Sequence, residues 1–203
     1  MITIIDYGAG NIGSIRNMLK KIGYISIITS KIQEIERASH IILPGVGSFD
    51  FGMKQLKKLD LINILTKKVI NEKTPFLGIC LGMQLLAKSS EEGELSGLGW
   101  FDADVIKFNF NKNDLKVPHM GWNTVTIKST NKLMSSSKNK RFYFVHSYYF
   151  KANNVNEIML ETSYGIKFTS AIFKENIFGV QFHPEKSHKF GMKLLSNFIS
   201  LNS

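Results

Sequence analysis

Pro75-Phe76-Leu77-Gly78-Ile79-Cys80-Leu81-Gly82-Met83-Gln84 is the stretch on which the reading of the fold turns. Pro75 to Ile79 is a short, largely apolar run that suits a buried strand. From Leu81 to Lys88 a helix is expected. Between the two, Gly78-Ile79-Cys80-Leu81-Gly82 has the form G-x-C-x-G. This is the thiol version of the nucleophile elbow, a sharp turn from strand to helix. Such a turn is strained, and bulk at position 78 or 82 would collide with neighbouring backbone. The turn presents the sulfur of Cys80 at the sheet edge and at a helix N-terminus, where the dipole and free N–H groups favour thiolate. The amide of Leu81 is then aimed at a carbonyl oxygen attacked by that sulfur, giving half an oxyanion hole. The plain alternative is a buried structural cysteine.

Upstream, residues 2–5 read as a strand, Asn11 to Ile22 as a helix stopped by Gly23, and residues 25–28 as a second strand. Residues 40–43 give a third strand that halts at Pro44, and helical patterns follow over 49–58 and 60–71. Strand and helix thus alternate through the first ninety residues, the pattern of a parallel sheet covered on both faces. Downstream the chain is richer in strands, around 104–108, 123–127, 142–145, 158–162, 168–173 and 177–182. An amphipathic helix is expected over about 187–200. Ser129 to Lys140 is polar and reads as a surface loop. The fold class expected is α/β, a mostly parallel central sheet flanked by helices with additional antiparallel strands. No Pro-rich or Gly/Ser-rich linker and no fixed-period repeat divides the chain, so residues 1–203 read as one domain.

Lys+Arg is 26 against Asp+Glu 16, a net charge of +10. The lysines are scattered, and several (Lys54, Lys57 and Lys58) fall at helical spacing, as solvated helix faces do. No basic cluster interleaved with aromatics points to nucleic acid. The N-terminus lacks the pattern of a signal peptide, and no apolar run is long enough for a membrane span. A lone cysteine rules out an internal disulfide and suits a reducing cytoplasm. Histidines are dispersed without metal-ligand spacing, so neither a metal nor any other cofactor is expected.

Two glycine segments bear on the site. Gly45-Val46-Gly47, after Pro44, is the natural source of a second oxyanion amide, because glycine lets backbone approach a substrate closely. Gly8-Ala9-Gly10-Asn11-Ile12-Gly13 matches G-x-G-x-x-G, the dinucleotide fingerprint. The acidic residue that should end the second strand is missing, since Thr29-Ser30-Lys31 stands there. A tight turn that passes close to another part of the chain is the better reading, with Asp6, Tyr7 and Asn11 as polar surface around it.

The candidate base is His183, in Gly179-Val180-Gln181-Phe182-His183-Pro184-Glu185, for which the plain alternative is a surface His-Pro-Glu turn. Residues two apart in extended chain share a face, and Pro184 keeps the backbone extended. Glu185 is therefore expected to reach the imidazole, fix its tautomer and stabilise its charged form, leaving the other nitrogen for the thiol.

With these motifs in hand, the chain resembles the class I glutamine amidotransferases, from residue 2 to about residue 200. The resemblance is carried by Asp6 to Asn11, Pro44 to Phe49, Gly78 to Gln84, Val117 to Asn123, His146 to Tyr149 and Gly179 to Ser187. It implies the flavodoxin-like fold of that class and a Cys80-His183-Glu185 triad that hydrolyses L-glutamine to glutamate and ammonia. It implies an oxyanion hole of Val46, Gly47 and Leu81 backbone. It also implies a glutamine pocket of Gly47, Gln84 and the backbone of His146, Ser147 and Tyr148. Asn11, Trp122, Asn123 and Lys186 would form the face that docks a cyclase subunit as a heterodimer. Two departures from the pattern stand out. Trp100 to Asp104 lacks an expected Pro-Gly turn, and His188 stands where glutamine is usual.

Three other readings compete. One is a paralogous glutaminase feeding an enzyme that amidates a surface sugar. Another is a partner-free cysteine hydrolase, against which Val117 to Asn123 and His183 to Ser187 argue. The third is a nucleotide-binding module resting on Gly8 to Gly13.

Overall fold

A computed structural model describes residues 1–110, 115–134 and 140–201. The first half alternates as follows: β1 (Ile2–Ile5), α1 (Ile12–Lys21), β2 (Ser26–Thr29), α2 (Ile32–Glu36), β3 (His40–Gly45), α3 (Phe49–Lys58) and α4 (Leu61–Thr66), then β4 (Phe76–Cys80) and α5 (Leu81–Gln84). A π-helical turn over Lys67–Asn71 extends α4. The second half holds β5 (Ser89–Ser90), β6 (Ala103–Lys107), β7 (His119–Ile127), β8 (Arg141–His146), β9 (Tyr148–Ala152), β10 (Ile158–Tyr164), β11 (Ile166–Lys174), β12 (Ile177–Val180) and α6 (His188–Ile199).

The strands join one sheet in the order β2-β1-β3-β4-β12-β11-β10-β7-β8. From β2 to β12 the neighbours are parallel. From β11 outward they are antiparallel. β9 pairs with β11 and carries β6, which carries β5. The two halves meet at β12, whose Gly179 and Val180 lie beside Gly78 and Ile79 of β4. That pairing places the segment following β12 next to the elbow that follows β4.

The central strands are apolar on both faces because both are covered. β1, β3, β4 and β12 are buried at every residue. Ile5, Leu43 and Phe76 face one core, with Phe49 and Leu56 of α3, while Ile4, Leu77 and Val180 face the other, with Leu195 and Phe198 of α6. Each such side chain fully buried stabilises the fold by about 1.5–3 kcal/mol before conformational entropy is counted. Side chains cap two helices at the site's edge of the sheet. Asn11 accepts from the Ser14 amide at 3.4 Å and Ser48 from the Phe51 amide at 3.4 Å.

Several expectations are corrected. β3 runs through Pro44 to Gly45, which is possible because pairing with β1 ends at Ile42 and the last two residues pair with β4 alone. The helix after Cys80 ends at Gln84 rather than Lys88. Leu85, Leu86 and Ala87 stay fully buried while the chain turns toward β5. The expected surface loop over Ser129 to Lys140 falls partly on residues 135–139, outside the described residues. Within its described part, Leu133 and Met134 are buried. Tyr7, expected at a polar surface, is fully buried.

Candidate active site

The elbow forms as its glycines predict. Cys80 has φ 54° and ψ −109°, a backbone conformation that L-residues rarely hold. A β-carbon at Gly82 would overlap the Leu43 carbonyl oxygen, and one at Gly78 would stand 2.6 Å from the Gly82 carbonyl oxygen. The strain is retained by the packing of β3, β4 and α5. It puts the thiol into a cavity of about 420 Å³ that is also lined by Val46, Gly47, Leu81, Gln84, His146, Ser147, Tyr148 and His183. The structure thus brings together at one cavity every residue expected in the oxyanion hole and glutamine pocket, with Cys80 and His183. Glu185 stands behind His183.

His183 is held by backbone and carboxylate together. Its amide donates to the Tyr143 carbonyl of β8 at 2.9 Å. Ser187 Oγ donates to the His183 carbonyl at 2.6 Å and accepts from the Tyr143 amide at 3.0 Å. Nδ1 lies 2.7 Å from Glu185 Oε1, with both side chains almost wholly buried. The route by which Glu185 arrives is not the extended alternation expected. β12 ends at Val180, and Pro184–Lys186 form a 3₁₀ turn that folds the carboxylate back onto the ring. Burial is the largest single influence on the imidazole and pushes its pKa down. Hydrogen bonding and charge from Cys80 and Glu185 together outweigh it and push the pKa up to about 10. His183 is therefore poised as imidazolium beside the sulfur. Nε2 has no nitrogen or oxygen partner among the described residues and is left for the thiol and for a leaving group.

Two residues of the site carry no signal in their spacing. Glu92 lines the cavity, with Oε2 accepting from the Phe49 amide at 2.8 Å. Gln181 is fully buried, and its Nε2 donates to Cys80 Sγ at 3.7 Å. His146, expected in the pocket, contributes as wall: its ring is engaged by His119 at 2.9 Å and by the Tyr148 carbonyl at 2.7 Å. The glycine turn that mimics a dinucleotide motif packs against β3. A β-carbon at Gly10 would stand 3.3 Å from both the Gly45 amide nitrogen and Pro44 Cβ. Among the described residues no group of three or more His, Cys, Asp or Glu is placed to hold a metal ion, and no helix is long and apolar enough to cross a membrane.

The expected docking residues divide. Trp122 is 39% exposed and stacks on His188 with ring centroids 5.6 Å apart. Lys186 Nζ lies 5.6 Å from the centroid of Tyr143, whose edge also meets Trp122. Trp122, Lys186 and the atypical His188 thus share one patch. Asn11 is exposed at the start of α1, which packs against the Pro184–Lys186 turn. Asn123 instead spends its amide inside the chain, donating to the Ser163 carbonyl at 3.0 Å and to His119 Nε2 at 3.2 Å.

The family described as glutamine amidotransferase class-I matches residues 3–201. The chain belongs to the class I glutamine amidotransferases and, within them, to the family of HisH subunits. It is 60% identical to the imidazole glycerol phosphate synthase subunit HisH 2 of Methanococcus maripaludis, over 98% of each chain. It is 49% identical to the HisH 2 subunit of Pseudomonas aeruginosa, over 99% of this chain and 100% of that one. A solved glutamine amidotransferase shares the fold at a TM-score of 0.76 and 18% identity, over 98% of this chain and 97% of that one.

Proposed function

We propose that this chain is the glutaminase subunit of an imidazole glycerol phosphate synthase, with Cys80 as nucleophile, His183 as acid and base, and Glu185 as the group that orients and charges His183. One observation carries the reading: a single thiol on a strained elbow shares a cavity with an imidazole that a buried carboxylate holds at 2.7 Å. The sulfur attacks the side-chain amide carbon of L-glutamine, and a C–S bond forms while His183 keeps the thiol proton. Backbone amides of Val46 and Gly47, in the loop after β3, and of Leu81 are the donors for the oxyanion, each worth about 2.7–4 kcal/mol in comparable hydrolases. His183 passes its proton to the leaving nitrogen, the C–N bond breaks and ammonia departs. Water, deprotonated by His183, then cleaves the thioester, releasing glutamate and restoring the thiol. Gln84 and the His146–Tyr148 backbone wall the substrate, and the Glu92 carboxylate matches its α-ammonium group.

The ammonia passes to a HisF-type cyclase subunit in a cytoplasmic heterodimer of histidine biosynthesis, which makes imidazole glycerol phosphate and AICAR. One amidotransferase domain spanning residues 1–203 fits the continuous sheet. Free ammonia in neutral water becomes ammonium, which is no nucleophile, so delivery within a complex is the economical arrangement. The test is glutamate release by wild type and Cys80→Ser, each with and without the cyclase. Cys80→Ser loses all activity with its fold intact. Turnover near wild type in that variant removes Cys80 from the mechanism.

A further inference from the structure

Gln181 sits at the end of a chain of hydrogen bonds whose direction is fixed from its far end. The Tyr148 carbonyl is an acceptor only, and it takes Gln84 Nε2–H at 3.1 Å. That sets which way the Gln84 amide points, so its NH₂ also faces Gln181 Oε1, at 3.1 Å. Gln181 must then turn its own NH₂ the other way, toward Cys80 Sγ at 3.7 Å. Reversing either amide would place oxygen against oxygen or NH₂ against NH₂ in a buried site, where an unsatisfied polar group costs about 1–3 kcal/mol.

The same carbonyl is held from its other side. His146 Nδ1 donates to it at 2.7 Å, so His146 Nε2 is an acceptor, facing His119 Nδ1 at 2.9 Å. His119 Nε2 accepts from Asn123 Nδ2, whose orientation is pinned because Asn123 Oδ1 accepts from the Thr124 amide at 2.8 Å. Burial pushes the pKa of His146 down to about 3 and that of His119 to about 4, so both rings stay neutral and keep this polarity.

We infer that Gln181 is a catalytic hydrogen-bond donor to the Cys80 sulfur, aimed by Gln84 and the Tyr148 carbonyl, and that it stabilises the thiolate both as attacking group and as leaving group of the thioester. A donor to a charged acceptor contributes more than one to a neutral acceptor. The N–H therefore favours the two states in which the sulfur carries charge over the thioester, in which it does not. This rests on the reading of Cys80 as nucleophile and adds a role that His183 does not fill. His183 moves the proton, while Gln181 holds the sulfur without exchanging one.

The chain has one cysteine, so alkylation by iodoacetamide reports on Cys80 alone. Gln181→Glu keeps the shape and the acceptor for Gln84 but offers the sulfur an oxygen in place of N–H. The pH of half-maximal alkylation rate should rise by about one unit or more. kcat should fall on the order of tenfold or more while KM for glutamine changes less than threefold. Gln181→Met, which removes donor and acceptor together, should shift the same way by less. In the wild-type chain, the ¹⁵N-labelled Gln181 side-chain amide resonance should move when Cys80 is alkylated. An unchanged alkylation profile in a folded Gln181→Glu overturns the inference. If both variants fail to fold, an amide resonance indifferent to the state of Cys80 overturns it. The two readings fail separately. Cys80→Ser that retains turnover removes the nucleophile, whereas a dead Cys80→Ser with alkylation indifferent to Gln181 removes only the donor.

Discussion

At the scale of the residue, the proposed mechanism gives Glu185 and Cys80 unequal duties. Glu185 touches His183 and no reacting atom, holding the ring by one 2.7 Å contact. Glu185→Gln keeps an oxygen that can accept from Nδ1 but loses the charge that helps keep the imidazole protonated. Its rate at saturating glutamine should fall on the order of ten- to a hundredfold, about 1.4–2.7 kcal/mol, while Cys80→Ala should show none. Equal and total loss in both would contradict the division. That Cys80, His183 and Glu185 come together is legible in the sequence because each lies in a local motif with its own chemistry. Gln181 lies inside one of those motifs but carries no local signal, since its orientation depends on Gln84, 97 residues away in the chain. Tyr7 reads as polar surface because nothing local says that the turn beside it packs against β3, which leaves it buried.

At the scale of the element, β7 and β8 pair so that His119 stands opposite His146. His119 stacks between Phe144 and Tyr164, with centroids at 4.8 Å and 4.1 Å. Both imidazoles have folded-state pKa values well below the ordinary 6.5. Above 6.5 neither the folded nor the unfolded chain protonates them. As pH falls below 6.5 the unfolded chain takes up protons that the folded chain refuses, so stability is lost down toward pH 4 and, for His146, toward pH 3. The slope is about 1.4 kcal/mol per pH unit for each group at most. The thermal midpoint should therefore drop between pH 6.5 and 4, and His119→Gln should flatten that drop. A wild-type midpoint constant over this range would refute the account. The continuous apolar run of β1 and the amphipathic periodicity of α3 and α6 are readable in the sequence. The two-residue β5 and the single 3₁₀ turn that delivers Glu185 are not, because their form is set by neighbours rather than by repeat.

For the whole molecule, the patch of Trp122, His188, Tyr143 and Lys186 lies one turn from the Glu185 carboxylate. Trp is enriched at binding hot spots, and a contact that pulls Lys186 also pulls the turn holding Glu185. Docking a cyclase there would raise turnover by favouring the active geometry of the site. The chain alone should then be nearly inactive. Lys186→Ala should lose most of the stimulation, on the order of tenfold, equivalent to about 1.4 kcal/mol of coupling, with a smaller change in basal rate. Glutamate release with and without the cyclase measures both. An isolated chain already running at the rate of the complex would end the coupling idea. The parallel half of the sheet was readable from strand–helix alternation. The insertion of β12 beside β4 was not, because a pairing across about a hundred residues leaves no periodic trace.

That insertion also has a consequence during synthesis. Until residues 177–183 have left the ribosome, β4 is an open edge whose backbone has a partner on one side only. Cys80 at its end does not yet have His183 beside it. A nascent chain, or one cut short by a stop codon before β12, holds the thiol without His183 and, under the proposed mechanism, should not hydrolyse glutamine. It also shows an apolar, unpaired strand of the kind that sticks to other chains. The same late strand that brings His183 to Cys80 closes the edge, so under the proposed mechanism a product that stops short of it should be inactive.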